Sequence, residues 1–190
     1  MKIYRLIATA LLVMSTGCTS ILVATTDENG IQEDPGERTA GTIIEDESIE
    51  TKVTVNMKSM EPAFRDAHFN AISHNGVVLL VGQVQSEALK NRAGQIAADA
   101  SAQIRRVHNE LEVAGKTTML SRANDSWLST KVRTQMASNK DVPSGRIRVI
   151  TENGTVYLMG MVSQAQGDRA ALLARNVTGV SKVVKVFEYI

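Results

Sequence analysis

Asn75-Gly76-Val77-Val78-Leu79-Leu80-Val81-Gly82-Gln83-Val84 is written a second time, 78 residues on, as Asn153-Gly154-Thr155-Val156-Tyr157-Leu158-Met159-Gly160-Met161-Val162. Both copies keep Asn-Gly, followed by Val, Leu, Gly and Val at alternate positions. Apolar β-formers also precede each Asn-Gly, over Phe69 to His74 and over Ile147 to Glu152. Asn-Gly between two such runs predicts a two-residue hairpin, because both turn positions need φ > 0 and these residues tolerate it. Each stretch is therefore the second strand of an antiparallel pair.

The duplication extends outward from the hairpin. Asp46, Ile49, Thr51, Lys52 and Val53 recur as Asp125, Leu128, Thr130, Lys131 and Val132, now at an offset of 79, so one residue separates the two spacings. Ile49, Val53 and Met57 fall on one helical face, as do Leu128, Val132 and Met136. A second helix is predicted from Ser86, with Leu89, Ala93, Ile96, Ala97 and Ala100 inward. Its twin carries Ala170, Leu173, Ala174 and Val177. A last strand runs over Ile104 to Val113 and over Val180 to Ile190. The expected class is α+β: two tandem αββαβ domains, each a small three-stranded sheet covered on one face by two helices. Tyr157 and Met159 then point outward from the sheet. Units of about 67 residues are domains rather than solenoid repeats, and each alone buries only a modest core. The expected divisions are a signal peptide over 1–17, an acidic flexible tether over 18–45, domain one over 46–113, a linker over 114–123 and domain two over 124–190.

The N-terminus supplies a compartment. Met1-Lys2-Ile3-Tyr4-Arg5 is basic, Leu6 to Met14 is apolar but too short to span a bilayer, and Ser15-Thr16-Gly17-Cys18 follows. That order describes a secretory signal. Small residues before the lone Cys resemble a bacterial lipobox, with Ser15 where such boxes usually carry Leu. Cys18 would become the acylated first residue, and Thr19 after it resembles outer-membrane sorting. No second Cys exists, so the folded part forms no internal disulfide in an oxidising space. The tether, of about 27 residues, would reach roughly 30 Å.

A net charge of +1 conceals an asymmetry. Residues 19–45 hold one basic and six acidic residues, net −5. Copy one holds seven and nine, net −2; copy two holds nine and five, net +4. A basic domain in a compartment without cytoplasmic nucleic acid points to anionic lipid or acidic envelope polymers, although +4 also serves ordinary solubility.

The single Trp sharpens that choice. Trp127 lies about 100° round the first helix of copy two from the Leu128, Val132, Met136 stripe, at a position where copy one has Ser48. Thr130, Lys131 and Thr134 share its face; Arg122 and Arg133 lie near in sequence, and Met119 and Leu120 are apolar residues of an otherwise polar linker. An amphipathic ring beside cations suits a membrane headgroup layer. The expected phospholipid-binding residues are Trp127, Lys131, Thr130, Thr134, Arg133, Arg122 and Leu120. An exposed Trp is also a common anchor for a protein partner, so an adaptor function stays open, with Tyr157 and Met159 or the acidic first copy as its surface.

No catalytic constellation is evident. His68, His74 and His108 all belong to copy one, and their counterparts Arg146, Glu152 and Val184 repeat no metal or base pattern. No nucleophile motif comes with a base, and no cofactor is expected. Aromatic residues make up 4%, too few for a base-stacking nucleic-acid platform.

The helix, the Asn-Gly hairpin with Val-x-Leu-x-Gly-x-Val, the small-residue helix and the closing strand resemble the BON domain. Two of them behind a lipoprotein signal are similar to the tandem-BON outer-membrane lipoproteins of Gram-negative bacteria. The resemblance covers about residues 39–190. It implies a non-enzymatic protein, anchored by lipid to the outer membrane and facing the periplasm. Such a protein binds anionic phospholipid, supports envelope integrity and collects at the division site. Outer-membrane assembly or cell-wall machinery are the expected protein partners, with the chain itself a monomer.

Overall fold

A computed structural model describes residues 34–115 and 118–190. Cys18, the signal peptide and most of the tether lie outside the described residues. Copy one contains α1 (Ala40–Met60), β1 (His68–His74), β2 (Val77–Val84), α2 (Glu87–Ala98) and β3 (Arg106–Val113). Copy two contains α3 (Met119–Ala137), β4 (Ile147–Glu152), β5 (Thr155–Val162), α4 (Gln164–Arg175) and β6 (Lys182–Tyr189). Each is α-β-β-α-β, and the class is α+β.

Hydroxyl caps set the helix starts. The side chains of Thr39, Ser86, Thr118 and Ser163 accept from the amides of Thr42, Leu89, Ser121 and Gln166, satisfying donors the first turn leaves unpaired. The caps at Thr39 and Thr118 start α1 and α3 upstream of the sequence repeat. Residues 40–45 and 119–123, read as tether and linker, are helical.

Both hairpins close on left-handed pairs: Asn75 and Gly76 at φ 52° and 72°, Asn153 and Gly154 at 49° and 74°. This is the twist-matched two-residue turn. β1 pairs antiparallel with β2, and β3 pairs parallel with β2, so β2 is central. β4, β5 and β6 repeat the arrangement.

Each central strand is buried along its whole length. Alternate residues Val78, Leu80 and Val84 meet Ile49, Val53 and Met57 of α1 and Ala93 and Ile96 of α2. Val156, Leu158 and Val162 meet Val132 and Met136 of α3 and Ala170 and Ala174 of α4. The other alternates build a third core: Ile72, Val77, Leu79 and Val81 pack against Tyr157, Met159 and Val186. The two sheets therefore lie face to face with helices outside, in one compact unit, Pro35–Ile190. Here the structure corrects the outward placement of Tyr157 and Met159, which are 3% and 0% exposed. The sheet face left bare by its own helices is covered by the other copy. Burial, with Glu110, Glu112 and Glu152 nearby, also pushes the Tyr157 phenol above its ordinary pKa, so it stays protonated.

Polar contacts pin the copies together. Arg105 donates from both terminal nitrogens to Glu188 at 2.6 Å, and Asn75 Nδ2 donates to the same carboxylate at 3.0 Å. Arg148 donates to Glu50 at 2.6 Å and to the Ser73 carbonyl at 3.0 Å. Gln83 donates to Glu152 at 2.8 Å. Buried polar groups left unpaired are costly, so these pairs fix the register of one sheet on the other.

Candidate functional face of helix α3

Helix α3 serves two masters. Leu128, Val132 and Met136 are buried in the copy-two core, whereas Trp127, one residue away, is 55% exposed. The Lys131 ammonium stands 3.7 Å from the centroid of the Trp127 ring, a cation–π contact that orders both side chains. Thr130 and Thr134 continue the face, their hydroxyls donating to the carbonyls of Ser126 and Thr130. Together with Leu173 of α4 and Val177 just after its end, these four residues line a groove of about 360 Å³. Leu120, seven residues before Trp127, lies within about 20° of it on the helix and is 81% exposed. Met119 beside it is exposed as well. The result is an apolar ridge with one cation over its ring.

The structure does not bring Arg122 and Arg133 to this face. They are five residues before and six after Trp127, which places them roughly 120–140° round the helix. Arg133 donates to the Val149 carbonyl at 2.9 Å, and Arg122 lies 3.5 Å from the His68 ring nitrogen. Arg122 turns toward copy one, and Arg133 toward β4 of its own copy. Of the expected lipid-facing residues, Trp127, Thr130, Lys131, Thr134 and Leu120 share a surface and the two arginines occupy another.

The sequence reading also missed what the repeated helix aspartates do. Asp46 accepts from the amides of Asn75 and Gly76 at 2.8 and 3.0 Å, from the Ser73 hydroxyl at 2.7 Å and from Arg38 at 2.8 Å. Asp125 accepts from the amides of Asn153 and Gly154, both at 2.9 Å. Each carboxylate ties its helix to the hairpin turn of its own copy. Burial raises the Asp46 pKa, but the donors from Gly76, Ser73, Arg38 and Asn75 outweigh it and hold the group below the usual carboxylate value. The signal was present: Asp and Asn-Gly are kept together in both copies.

The histidines are held by structure. His68 Nε2 is 3.6 Å from Glu152. His74 is buried, and burial together with the Arg38 charge lowers its pKa to about 4. Burial also lowers that of His108. Among the described residues no group of three or more His, Cys, Asp or Glu is placed to hold a metal ion, and no helix is long and apolar enough to cross a membrane.

The BON domain family model matches twice, over residues 45–115 and 124–190. The outer membrane lipoprotein DolP of Haemophilus influenzae is 39% identical over 80% of this chain and 79% of its own length. The 21 kDa hemolysin of Actinobacillus pleuropneumoniae is 37% identical over 80% of this chain and 78% of its own. The osmotically-inducible protein Y of Escherichia coli is 29% identical over 84% and 80%.

Proposed function

Because the chain belongs to the BON-domain family, we propose that it is a non-enzymatic outer-membrane lipoprotein, anchored through Cys18 and facing the periplasm, whose second domain binds anionic phospholipid through the Trp127 face of α3. The anchoring half is supported by the lipobox-like Ser15-Thr16-Gly17-Cys18 and by the likeness to an outer membrane lipoprotein. Acylation at Cys18 would keep the chain at the inner leaflet, where even a weak domain–lipid contact is effective. Support of envelope integrity, and concentration at the division site, come to the proposal from the family resemblance.

The binding half is carried by one observation: Trp127 is exposed on a helix whose opposite side is a packed core, with Lys131 over its ring. Folding gains little from leaving an indole in water. A headgroup layer would take its rings, keep the indole N–H wet and place the ammonium against phosphate. Each cation near an anionic surface contributes about 1 kcal/mol. An adaptor that docks through Tyr157 and Met159 has no surface to use while the sheets are packed together.

Flotation of residues 19–190 with vesicles of anionic phospholipid tests the reading. Trp127→Ala should cut vesicle binding about tenfold, the loss of roughly 1.4 kcal/mol. Lys131→Glu should weaken it further, and Ser48→Ala in copy one should leave it unchanged. Binding should fall with added salt, as exposed charges are screened within about 8 Å at physiological ionic strength. Undiminished binding by a folded Trp127→Ala protein would move the function to a protein partner.

A further inference from the structure

We propose that the trough between the two copies, on the side of the edge strand β4, is a second anion site that takes a phosphate-bearing ligand, separate from the Trp127 face. Two adjoining clefts form it. One, of about 660 Å³, is lined by Arg38, Arg133, Arg146 and Arg148. The other, of about 310 Å³, is lined by Arg122, Arg133 and Arg148. Arg133, Arg148 and Val149 belong to both, so among the described residues five arginines and no lysine line one continuous depression.

The choice of arginine matters. A guanidinium is planar, permanently charged and matched to two oxygens of one phosphate, and it tolerates partial burial better than an ammonium. Arg38 is committed to Asp46 and Arg148 to Glu50. Among the described residues Arg133 and Arg122 meet no carboxylate: the first donates to the neutral Val149 carbonyl and the second lies against the His68 ring. Acidic residues also line the trough, but Asp125 is engaged by the Asn153 and Gly154 amides, and Glu152 by Gln83 and His68. Glu37 lines the larger cleft beside Arg38. His74, on the wall of the larger cleft, is held neutral by burial and by the positive charge of Arg38, consistent with a positive potential in the cleft. Cleft walls of low dielectric focus such a field and raise the local concentration of anions.

Phosphate can reach the site on a soluble molecule or as a lipid headgroup, and the test separates them. Residues 19–190 are titrated calorimetrically with inorganic pyrophosphate at 0.15 M salt, a condition that screens exposed charges beyond about 8 Å. Saturable binding is expected, weakened about tenfold in Arg133→Gln and in Arg122→Gln, each losing a charge-assisted contact, and unchanged in Trp127→Ala. Arg122→Gln is the safeguard should Arg133→Gln lose its Val149 contact and unfold. Vesicle binding by wild type that pyrophosphate displaces assigns the phosphate to lipid headgroups. Pyrophosphate binding without displacement assigns it to a soluble ligand. No saturable binding, or equal binding by both folded glutamine variants, overturns the proposal. The Trp127→Ala flotation result bears on the other face alone, so the two readings fail separately.

Discussion

Gly76 and Gly154 occupy the same turn position with nearly the same φ, yet differ in what surrounds them. A Cβ on Gly76 would stand 2.5 Å from the backbone carbonyl oxygen of Gln103, whereas one on Gly154 would meet the Ser181 hydroxyl at 2.9 Å. A hydroxyl can rotate away; a backbone carbonyl cannot without moving the chain into β3. Both substitutions to Val carry the left-handed strain, roughly 1–3 kcal/mol. Gly76→Val should therefore destabilise by at least about 1 kcal/mol more than Gly154→Val, as overpacking against fixed atoms adds its own cost; urea melts of the two variants check the order. The turn itself was legible in the sequence because its chemistry is local to two residues. The aspartates that hold it were not, because Asp46 and Asp125 reach turns 29 and 28 residues away, and no periodicity rule registers a helix side chain bound to a distant amide.

At the scale of elements, α3 separates stability from binding within two adjacent residues. Leu128→Ala should cost about 2–5 kcal/mol, as a fully buried leucine does when its cavity persists. Trp127→Ala should stay within about 1 kcal/mol, since it removes mainly the partly exposed contact with Lys131. Parallel denaturant melts read both, and a Trp127→Ala loss as large as that of Leu128→Ala would place Trp127 in the core. The two-faced character was readable from spacing, because Ile49, Val53 and Met57 of copy one showed which stripe was structural. The ends of Arg122 and Arg133 were not. Helical angle gives the direction in which a long side chain leaves, but the partner it meets, His68 of copy one for Arg122 and the β4 carbonyl of Val149 for Arg133, decides where its guanidinium stops. Strand β5 was misjudged for a related reason. Val156-Tyr157-Leu158-Met159 is apolar at consecutive positions, the mark of a strand buried on both faces, and reading it as half-buried left Tyr157 and Met159 facing solvent.

The whole molecule is held by the sheet-on-sheet core, and that core carries a pH dependence. His74 faces it from β1 with a pKa near 4, lowered by burial and by Arg38, with Arg148 adding to the effect. Unfolding restores the ordinary value of 6.5. As pH falls from 6.5 toward 4 the unfolded chain therefore takes up a proton that the folded chain refuses, and stability is lost across that window. The effect is on the order of 3 kcal/mol. His74→Gln should flatten this part of the stability–pH curve, measured by urea midpoints at a series of pH values. The same core predicts that the copies unfold together. Separating them would expose Ile72, Leu79, Val81, Tyr157, Met159 and Val186 and would leave the Glu50, Glu152 and Glu188 carboxylates without Arg148, Gln83 and Arg105. A small domain with one bare apolar face has little stability to spare. Met57 lies wholly within the helix-side core of copy one, and the only Trp lies in copy two. Met57→Ala should cost about 2–5 kcal/mol, and if the two copies form one cooperative unit it should lower the midpoint seen by Trp127 fluorescence as much as that seen by far-UV circular dichroism. A Trp127 midpoint that stays at the wild-type value while the dichroism signal splits in two would show that each copy stands alone, with the sheet-on-sheet contact contributing little to either.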